Sequence, residues 1–152
     1  MEKKSKLKLY RVIKTNLVRE KYLDYECPRY SRILVTQFRG GNTNLRVEMG
    51  RRRNERREDR TCGMCITGKV EDETHVLLEC YIYNKEREKL IDDIRHLTTY
   101  DLSIMEDNPS WVIEFILGNE LVQAKDRPIV FRSLGMFLTR MMSLRKEWLN
   151  GL

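Results

Sequence analysis

The chain has 152 residues, a formal net charge of +6 and 41% hydrophobic residues. That length suits one domain, and the hydrophobic fraction is enough for a core, which excludes wholesale disorder. No apolar run approaches the roughly 18 residues that a membrane-spanning helix needs, and the basic start lacks the apolar stretch of a signal peptide. We therefore expect an intracellular protein with no membrane partner, in which thiols stay reduced.

Positive charge is concentrated in the first part of the chain. Residues 1–60 contain 18 Lys/Arg against 8 Asp/Glu, whereas residues 61–107 contain 5 against 11. Residues 108–152 are nearly balanced, with 6 against 4. Such asymmetry favours a polyanionic partner for the first part, most often nucleic acid. The alternative is a charged surface that is merely solvated.

The chain begins with a helical pattern. Leu9, Ile13 and Leu17 recur at helical spacing and predict a helix over residues 6–26. Pro28 interrupts this helix, because proline lacks a backbone donor and its ring clashes with the preceding turn.

A second helical pattern, YSRILVTQF, follows. It turns Ile33, Leu34 and Phe38 inward and leaves Arg32 and Arg39, two turns apart, on a shared face. Two glycines then end the helix, since glycine accepts the left-handed conformation of a helix terminus at little cost. The polar segment 44–60 is predicted to be a short helix or an extended segment.

Three further helical patterns follow the cysteines. The first runs through residues 81–98, and the second, WVIEFIL, opens at Pro109. The last begins near Asp126 and carries an apolar stripe made of Val130, Leu134, Phe137, Met141, Leu144 and Trp148. That stripe is predicted to close the core, and a partner helix or a homodimer seam is the alternative.

Three of the four cysteines and one of the two histidines fall within residues 61–80. Cys62, Cys65, His75 and Cys80 have the spacing C-x2-C-x9-H-x4-C. Zn²⁺ takes four tetrahedral ligands from thiolate and imidazole, and a closed set of four leaves no open position for water. The spacing therefore predicts one structural zinc ion, with Asp72 or Thr74 capping the turn that carries the histidine. The alternative is three buried free thiols and a core histidine.

Charge indicates how such a zinc loop would work. Three thiolates around one Zn²⁺ leave the site at −1. Four neighbouring acids add to that charge: Glu71, Asp72, Glu73 and Glu79. The loop is therefore poorly suited to bind phosphates itself, and we expect it to hold the preceding basic residues in place.

Those basic residues are mostly arginines. Seven arginines lie between residues 46 and 60: Arg46, Arg51, Arg52, Arg53, Arg56, Arg57 and Arg60. These seven, together with Arg32 and Arg39, are the predicted nucleic-acid contacts. Guanidinium groups pair bidentately with phosphate oxygens and stack on bases. The interleaved Glu55, Glu58 and Asp59 allow an alternative, a helix stabilised by its own ion pairs.

The order of these motifs, R-x6-R-G, NLRVEMGR, R-T-C-x2-C, VEDETHVLLEC and Y-x3-R, resembles the C-terminal zinc segment of non-LTR (LINE-type) retrotransposon reverse transcriptases. The resemblance covers roughly residues 6–95. Three positions, Asn44, Arg52 and Tyr81, depart from the pattern. The matching positions are Arg32, Arg39, Gly40, Leu45, Glu48, Gly50, Arg51, Arg60, Cys62, Cys65, Glu71, Asp72, Glu73, His75, Cys80, Tyr83 and Arg87.

The resemblance implies a zinc-stabilised segment that binds template RNA or target DNA, single-stranded DNA included. A polymerase needs paired aspartates for two metal ions, and the closest stretch, YLDYE, has a single aspartate, so no enzymatic activity is predicted. The competing hypothesis is a zinc-stabilised helical module for protein–protein contact or oligomerisation.

The predicted fold is mainly α, a small helical domain built around a structural CCHC zinc site with a C-terminal helical pair. We divide it into a basic helical part (1–60), the zinc site with its following helix (61–98) and the C-terminal helices (99–152). These parts are expected to form one compact domain.

Overall fold

The computed structural model describes residues 7–102, 107–118 and 120–151. Within these ranges the chain is mainly helical, as predicted, and contains no β-strand. Short 3₁₀ turns cover Lys21–Asp24, Arg57–Asp59 and Tyr81–Tyr83, and a π-helical turn covers His75–Glu79. The α-helices are α1 (Lys8–Ile13), α2 (Arg29–Arg39), α3 (Arg46–Arg52), α4 (Asn84–Leu97), α5 (Pro109–Gly118) and α6 (Arg127–Asn150).

Helix α6 is the centre of the packing, because it lies against both α2 and α4. Its apolar stripe closes the core as predicted over the buried Val130, Leu134, Phe137 and Met141. The prediction is wrong for the end of the stripe, where Trp148 is 46% exposed. Although α6 has 24 residues, neither it nor another helix in the described ranges is long and apolar enough to cross a bilayer.

Small side chains let α2 and α6 approach closely. A Cβ atom added at Gly135 would lie 2.8 Å from the Cβ atom of Ser31, which is closer than real Cβ contacts come. The hydroxyl groups of Ser31 and Thr139 are hydrogen-bonded at 3.1 Å beside this contact. The ridges of the two helices can therefore interlock only because position 135 has no side chain.

The predicted helix over residues 6–26 is wrong beyond Ile13. Lys14 leaves the helical conformation, and its ammonium donates to the carbonyl of Val18 at 2.6 Å and pairs with Glu20 at 2.9 Å. The chain then continues as an irregular segment, in which Leu17 is fully exposed. Glu20 also pairs with Arg39 of α2 at 3.0 Å, so a contact outside the predicted helix outweighs the local helical periodicity.

The second helix is confirmed over Arg29–Arg39 and ends at Gly40. Leu34 and Phe38 are buried as predicted, but Ile33 is 42% exposed, because Val35 occupies the inward position instead. Between residues 44 and 60 the chain forms α3 and a 3₁₀ turn rather than an extended segment.

Candidate metal centre and basic segment

The four side chains predicted from the cysteine–histidine spacing converge. The ligand atoms of Cys62, Cys65, His75 and Cys80 all lie within 4.8 Å of one another, and all four residues are buried. The Sγ atom of Cys65 lies 3.4 Å from Nε2 of His75. The three thiols are free of disulfides, so each can serve as a ligand. These residues are positioned to hold one metal ion.

Cys62 and Cys65 lie in a tight loop. An isolated antiparallel bridge between Thr61 and Val70 closes its base, and the Cys62 amide donates to the carbonyl of Lys69 at 2.9 Å. Inside the loop the amide of Met64 points at the Cys62 sulfur at 3.4 Å. Backbone N–H groups that face a sulfur in this way stabilise it as a thiolate.

His75 and Cys80 are brought to one face by a π-helical turn. The Cys80 amide donates to the carbonyl of His75 at 2.7 Å, and this i→i+5 bond places residues five apart on the same side of the turn. Asp72 Oδ1 accepts from the His75 amide at 3.0 Å. Asp72 is therefore the capping residue of the two that were predicted.

Arg87, on α4, holds that turn from outside. Its guanidinium donates to the carbonyl oxygens of Leu77 at 2.8 Å, Cys80 at 2.8 Å and Val76 at 3.2 Å. An isolated turn leaves such carbonyls without partners, which is costly when they are buried. Arg87 thus fixes the backbone that presents two of the four ligands.

Outer contacts orient the ligand atoms. Nδ1 of His75 lies 3.3 Å from a Glu79 carboxylate oxygen, which also pairs with Lys69 at 3.1 Å. A carboxylate on one ring nitrogen directs the other nitrogen toward a metal. The Cys65 sulfur lies 3.0 Å from the Thr67 hydroxyl.

The thiols differ in how readily they ionise. Burial raises the pKa of Cys62 to about 12 and also raises the pKa of Cys80. Burial opposes ionisation of Cys65 too, but hydrogen bonds from Thr67 and from the other cluster members lower its pKa to about 7. Cys65 is therefore the thiol that can lose its proton to an incoming metal ion most easily.

Glu71 joins the metal loop, which we define as residues 61–80, to the basic segment, which we define as residues 46–60. The Glu71 side chain is fully buried and accepts from the Arg46 amide at 2.7 Å. Its backbone carbonyl accepts from the Val47 amide at 3.0 Å, and its own amide donates to the carbonyl of Arg60 at 3.0 Å. Both ends of the basic segment are thus fixed to one residue of the metal loop.

The same carboxylate forms a buried ion pair with Arg145 of α6, whose guanidinium reaches both Glu71 oxygens. Spacing could not reveal this pair, since 74 residues separate its members. Glu71, one of the four acids predicted to add negative charge to the zinc loop, is therefore in the interior and paired with a cation.

Three arginines of the basic segment stabilise the segment itself. Arg46 pairs with Glu55 at 2.7 Å, and Arg51 pairs with Glu48 at 2.8 Å. The guanidinium of Arg60 donates to the carbonyl of Glu55, and to another carbonyl of the segment at 3.1 Å. These half-buried groups have internal partners, which limits what they can offer to a ligand.

Four arginines of the basic segment have exposed side chains: Arg52, Arg53, Arg56 and Arg57. Arg57 pairs with Asp72 of the metal loop at 2.7 Å, and Arg56 pairs with Asp59 at 2.9 Å. Arg52 instead donates to the uncharged side-chain oxygen of Asn42 at 3.1 Å. Four of the nine arginines predicted to contact nucleic acid are therefore exposed, and the exposed Glu58 and Asp59 lie among them.

Arg39 is wrong as a predicted nucleic-acid contact, because it is only 2% exposed. It pairs with Glu20 at 3.0 Å, donates to the carbonyl of Leu117 and lies over the ring of Tyr22. Arg32 is half-buried and donates to a backbone carbonyl at 2.6 Å, so the two arginines share no open face. The helical spacing predicts that Arg39 faces solvent, whereas its charge has partners in the core.

Comparison with known proteins adds no relative. No family model matches the chain, and neither a curated protein nor a solved structure matches it. The likeness to the retrotransposon zinc segment therefore stays a hypothesis that the sequence motifs carry.

Proposed function

We propose that this chain is a zinc-stabilised nucleic-acid-binding domain without catalytic activity, derived from the C-terminus of a retrotransposon reverse transcriptase. The observation that carries the proposal is the attachment of the basic segment to the metal loop. Glu71 fixes both ends of the segment, and Asp72 holds the exposed Arg57 at 2.7 Å. An ion that orders residues 62–80 would thereby order the exposed arginines.

Zinc is the metal that this donor set suits. Three thiolates and one imidazole match Zn²⁺, whereas Mg²⁺ and Ca²⁺ prefer oxygen ligands. A Zn–S distance of about 2.3 Å sets tetrahedral ligand separations of about 3.8 Å, so small shifts of side chains already within 4.8 Å complete the shell. Four protein ligands fill that shell, and the zinc therefore has a structural role.

The exposed arginines set the expected size of the interaction. If each of the four neutralises one phosphate, log affinity should fall against log salt with a slope of about −3 for single strands and about −4 for duplex DNA. Arg56 pairs with Asp59 and Arg57 pairs with Asp72, so both slopes should be shallower than these limits. We propose a modest, salt-sensitive affinity for RNA or single-stranded DNA.

The test is fluorescence anisotropy with labelled RNA, single-stranded DNA and duplex DNA across a salt series. A triple variant, Arg52→Ala with Arg53→Ala and Arg56→Ala, removes three exposed charges. For single strands, its slope of log affinity against log salt should be shallower than that of the wild type by about 2. The matched control removes three exposed lysines elsewhere, Lys85→Ala, Lys89→Ala and Lys125→Ala. Equal losses in the two variants, or no binding by the wild type, would refute the proposal.

A second candidate is a module for protein contact, and one surface favours it. An apolar groove of about 500 Å³ lies between the metal loop and the end of α6, lined by Met64, Ile82, Leu144 and the half-exposed Trp148. A homodimer through this face would bury the exposed tryptophan. Light scattering on wild type and Trp148→Ala distinguishes the candidates, since a concentration-independent monomer contradicts the second one.

A further inference from the structure

We infer that Arg145 is the counter-cation of the metal centre, so that metal affinity depends on the C-terminal half of α6. The inference rests on the proposed zinc site but not on nucleic-acid binding. Arg145 is 7% exposed and donates to both carboxylate oxygens of Glu71, at 3.0 Å for Nη2 and Oε2. A cation from the far end of the sequence is thus in the interior, and the Glu71 carboxylate separates it from the Cys62 ligand.

The charge balance explains why a cation is needed there. A Glu71 carboxylate oxygen lies 3.7 Å from the Sγ atom of Cys62. With zinc bound by three thiolates the centre carries a net negative charge, so a second anion at this distance is repelled. Glu71 is fully buried, and water cannot screen that repulsion. Arg145 supplies the opposing charge.

Helix α6 delivers this charge by its position in the core. It packs against α2 and α4, and α4 carries the Arg87 that holds the His75–Cys80 turn. Arg145 also points Nη2 at the carbonyl of Asn44 at 3.5 Å, just before α3. Because linkage is reciprocal, metal binding should favour the docked position of α6 by the same factor by which docked α6 favours metal binding.

The direct test measures zinc affinity by competition with a chromophoric chelator, without nucleic acid. Arg145→Met should bind zinc at least tenfold more weakly than the wild type. The control is Arg140→Met on the same helix, whose guanidinium lies 3.6 Å from Glu86, and its affinity should stay within twofold. The double variant Glu71→Gln with Arg145→Met removes the anion too and should recover most of the loss. Equal affinities for Arg145→Met and the control, or no recovery in the double variant, would overturn the inference.

A second measurement covers the case in which Arg145→Met does not fold. Hydrogen exchange of the wild-type protein is compared with zinc bound and after chelation. Amides of residues 141–150 should lose at least tenfold more protection than those of residues 130–137 in the same helix. Unchanged protection at 141–150, or a uniform loss along α6, would contradict the inference. Neither experiment involves nucleic acid, so failure here is distinguishable from failure of the proposed function.

Discussion

The guanidinium of Arg87 donates to the backbone carbonyl of Cys80 at 2.8 Å, so a helix outside the metal loop holds a ligand-bearing turn in place. The Arg87 side chain reaches the metal centre through backbone carbonyl oxygens. It acts on the backbone, where three carbonyls of the turn accept from it. The metal centre is therefore built by four ligands together with a supporting layer of arginine and glutamate side chains.

Replacing Arg87 by alanine should lower the free energy of unfolding of the zinc-bound protein by about 2–4 kcal/mol, because buried carbonyls lose a charged donor. Urea denaturation with excess zinc measures the change. Arg95→Ala on the same helix is the control, because its half-exposed side chain pairs with Asp92 at 3.3 Å, a type of pair that contributes little. Similar effects of the two substitutions would contradict the supporting role.

Gly50→Ala should lower the free energy of unfolding by about 1–2 kcal/mol, despite the better helix propensity of alanine. An added Cβ would lie 2.5 Å from Cγ of Arg60, whose guanidinium is held by backbone carbonyls and cannot move away freely. Gly63→Ala is the control, since nothing lies within 4 Å of its added Cβ. Thermal or urea unfolding of both variants measures the two changes in stability. A Gly50→Ala variant as stable as the wild type would show that the Arg60 side chain moves aside without cost.

Arg39→Met and Arg52→Met should have opposite consequences. Loss of Arg39 leaves Glu20 without its buried partner and should lower the free energy of unfolding by about 2–4 kcal/mol. Nucleic-acid affinity per folded molecule should not change. Loss of the exposed Arg52 should leave stability unaltered and weaken binding in the anisotropy assay. A binding defect in folded Arg39→Met would restore the sequence-based interpretation of that residue.

Glu73→Gln should stabilise the protein at pH 8 but hardly at pH 5. Burial raises the pKa of Glu73 from 4.5 to about 7, and the negative charges of Asp72 and Glu48 contribute to the increase. Between these values the unfolded carboxyl ionises while the folded one keeps its proton, so the folded state loses stability as the pH rises and the loss is complete above pH 7. Replacing the carboxyl by an amide should therefore raise the free energy of unfolding by about 1–3 kcal/mol at pH 8.

Urea unfolding at the two pH values measures this difference. Glu58→Gln serves as the control, because the Glu58 side chain is 67% exposed and its substitution should have the same small effect at both values. A Glu73→Gln variant with no stability gain at pH 8 would mean that folding does not raise the pKa of this carboxyl.

The metal ligands could be predicted because their information is local. Two residues separate Cys62 from Cys65, which fits one tight loop, and four residues separate His75 from Cys80, which fits one turn. Both fits are independent of the rest of the chain. Helices α2, α5 and α6 could likewise be predicted from periodicity and from the prolines and glycines at their ends, and α4 could be predicted from periodicity alone.

What could not be predicted depends on contacts between distant residues. Arg39 is buried because Glu20 and the carbonyl of Leu117 meet it, and Glu71 is buried because Arg145 does. Periodicity assigns every charged residue to the surface, so it has no means of recognising a charge that is paired in the core. The same pairing at Glu20 explains why the helix predicted over residues 6–26 stops early.

We propose that one zinc ion, bound by Cys62, Cys65, His75 and Cys80, orders the loop that fixes the basic segment. The decisive measurement is X-ray absorption at the zinc edge on protein with one bound equivalent of zinc. We predict a first shell of three sulfurs at about 2.3 Å and one nitrogen, and loss of the stoichiometric zinc in Cys80→Ser. A protein that binds no zinc, or a first shell made of oxygen and nitrogen alone, would contradict the account.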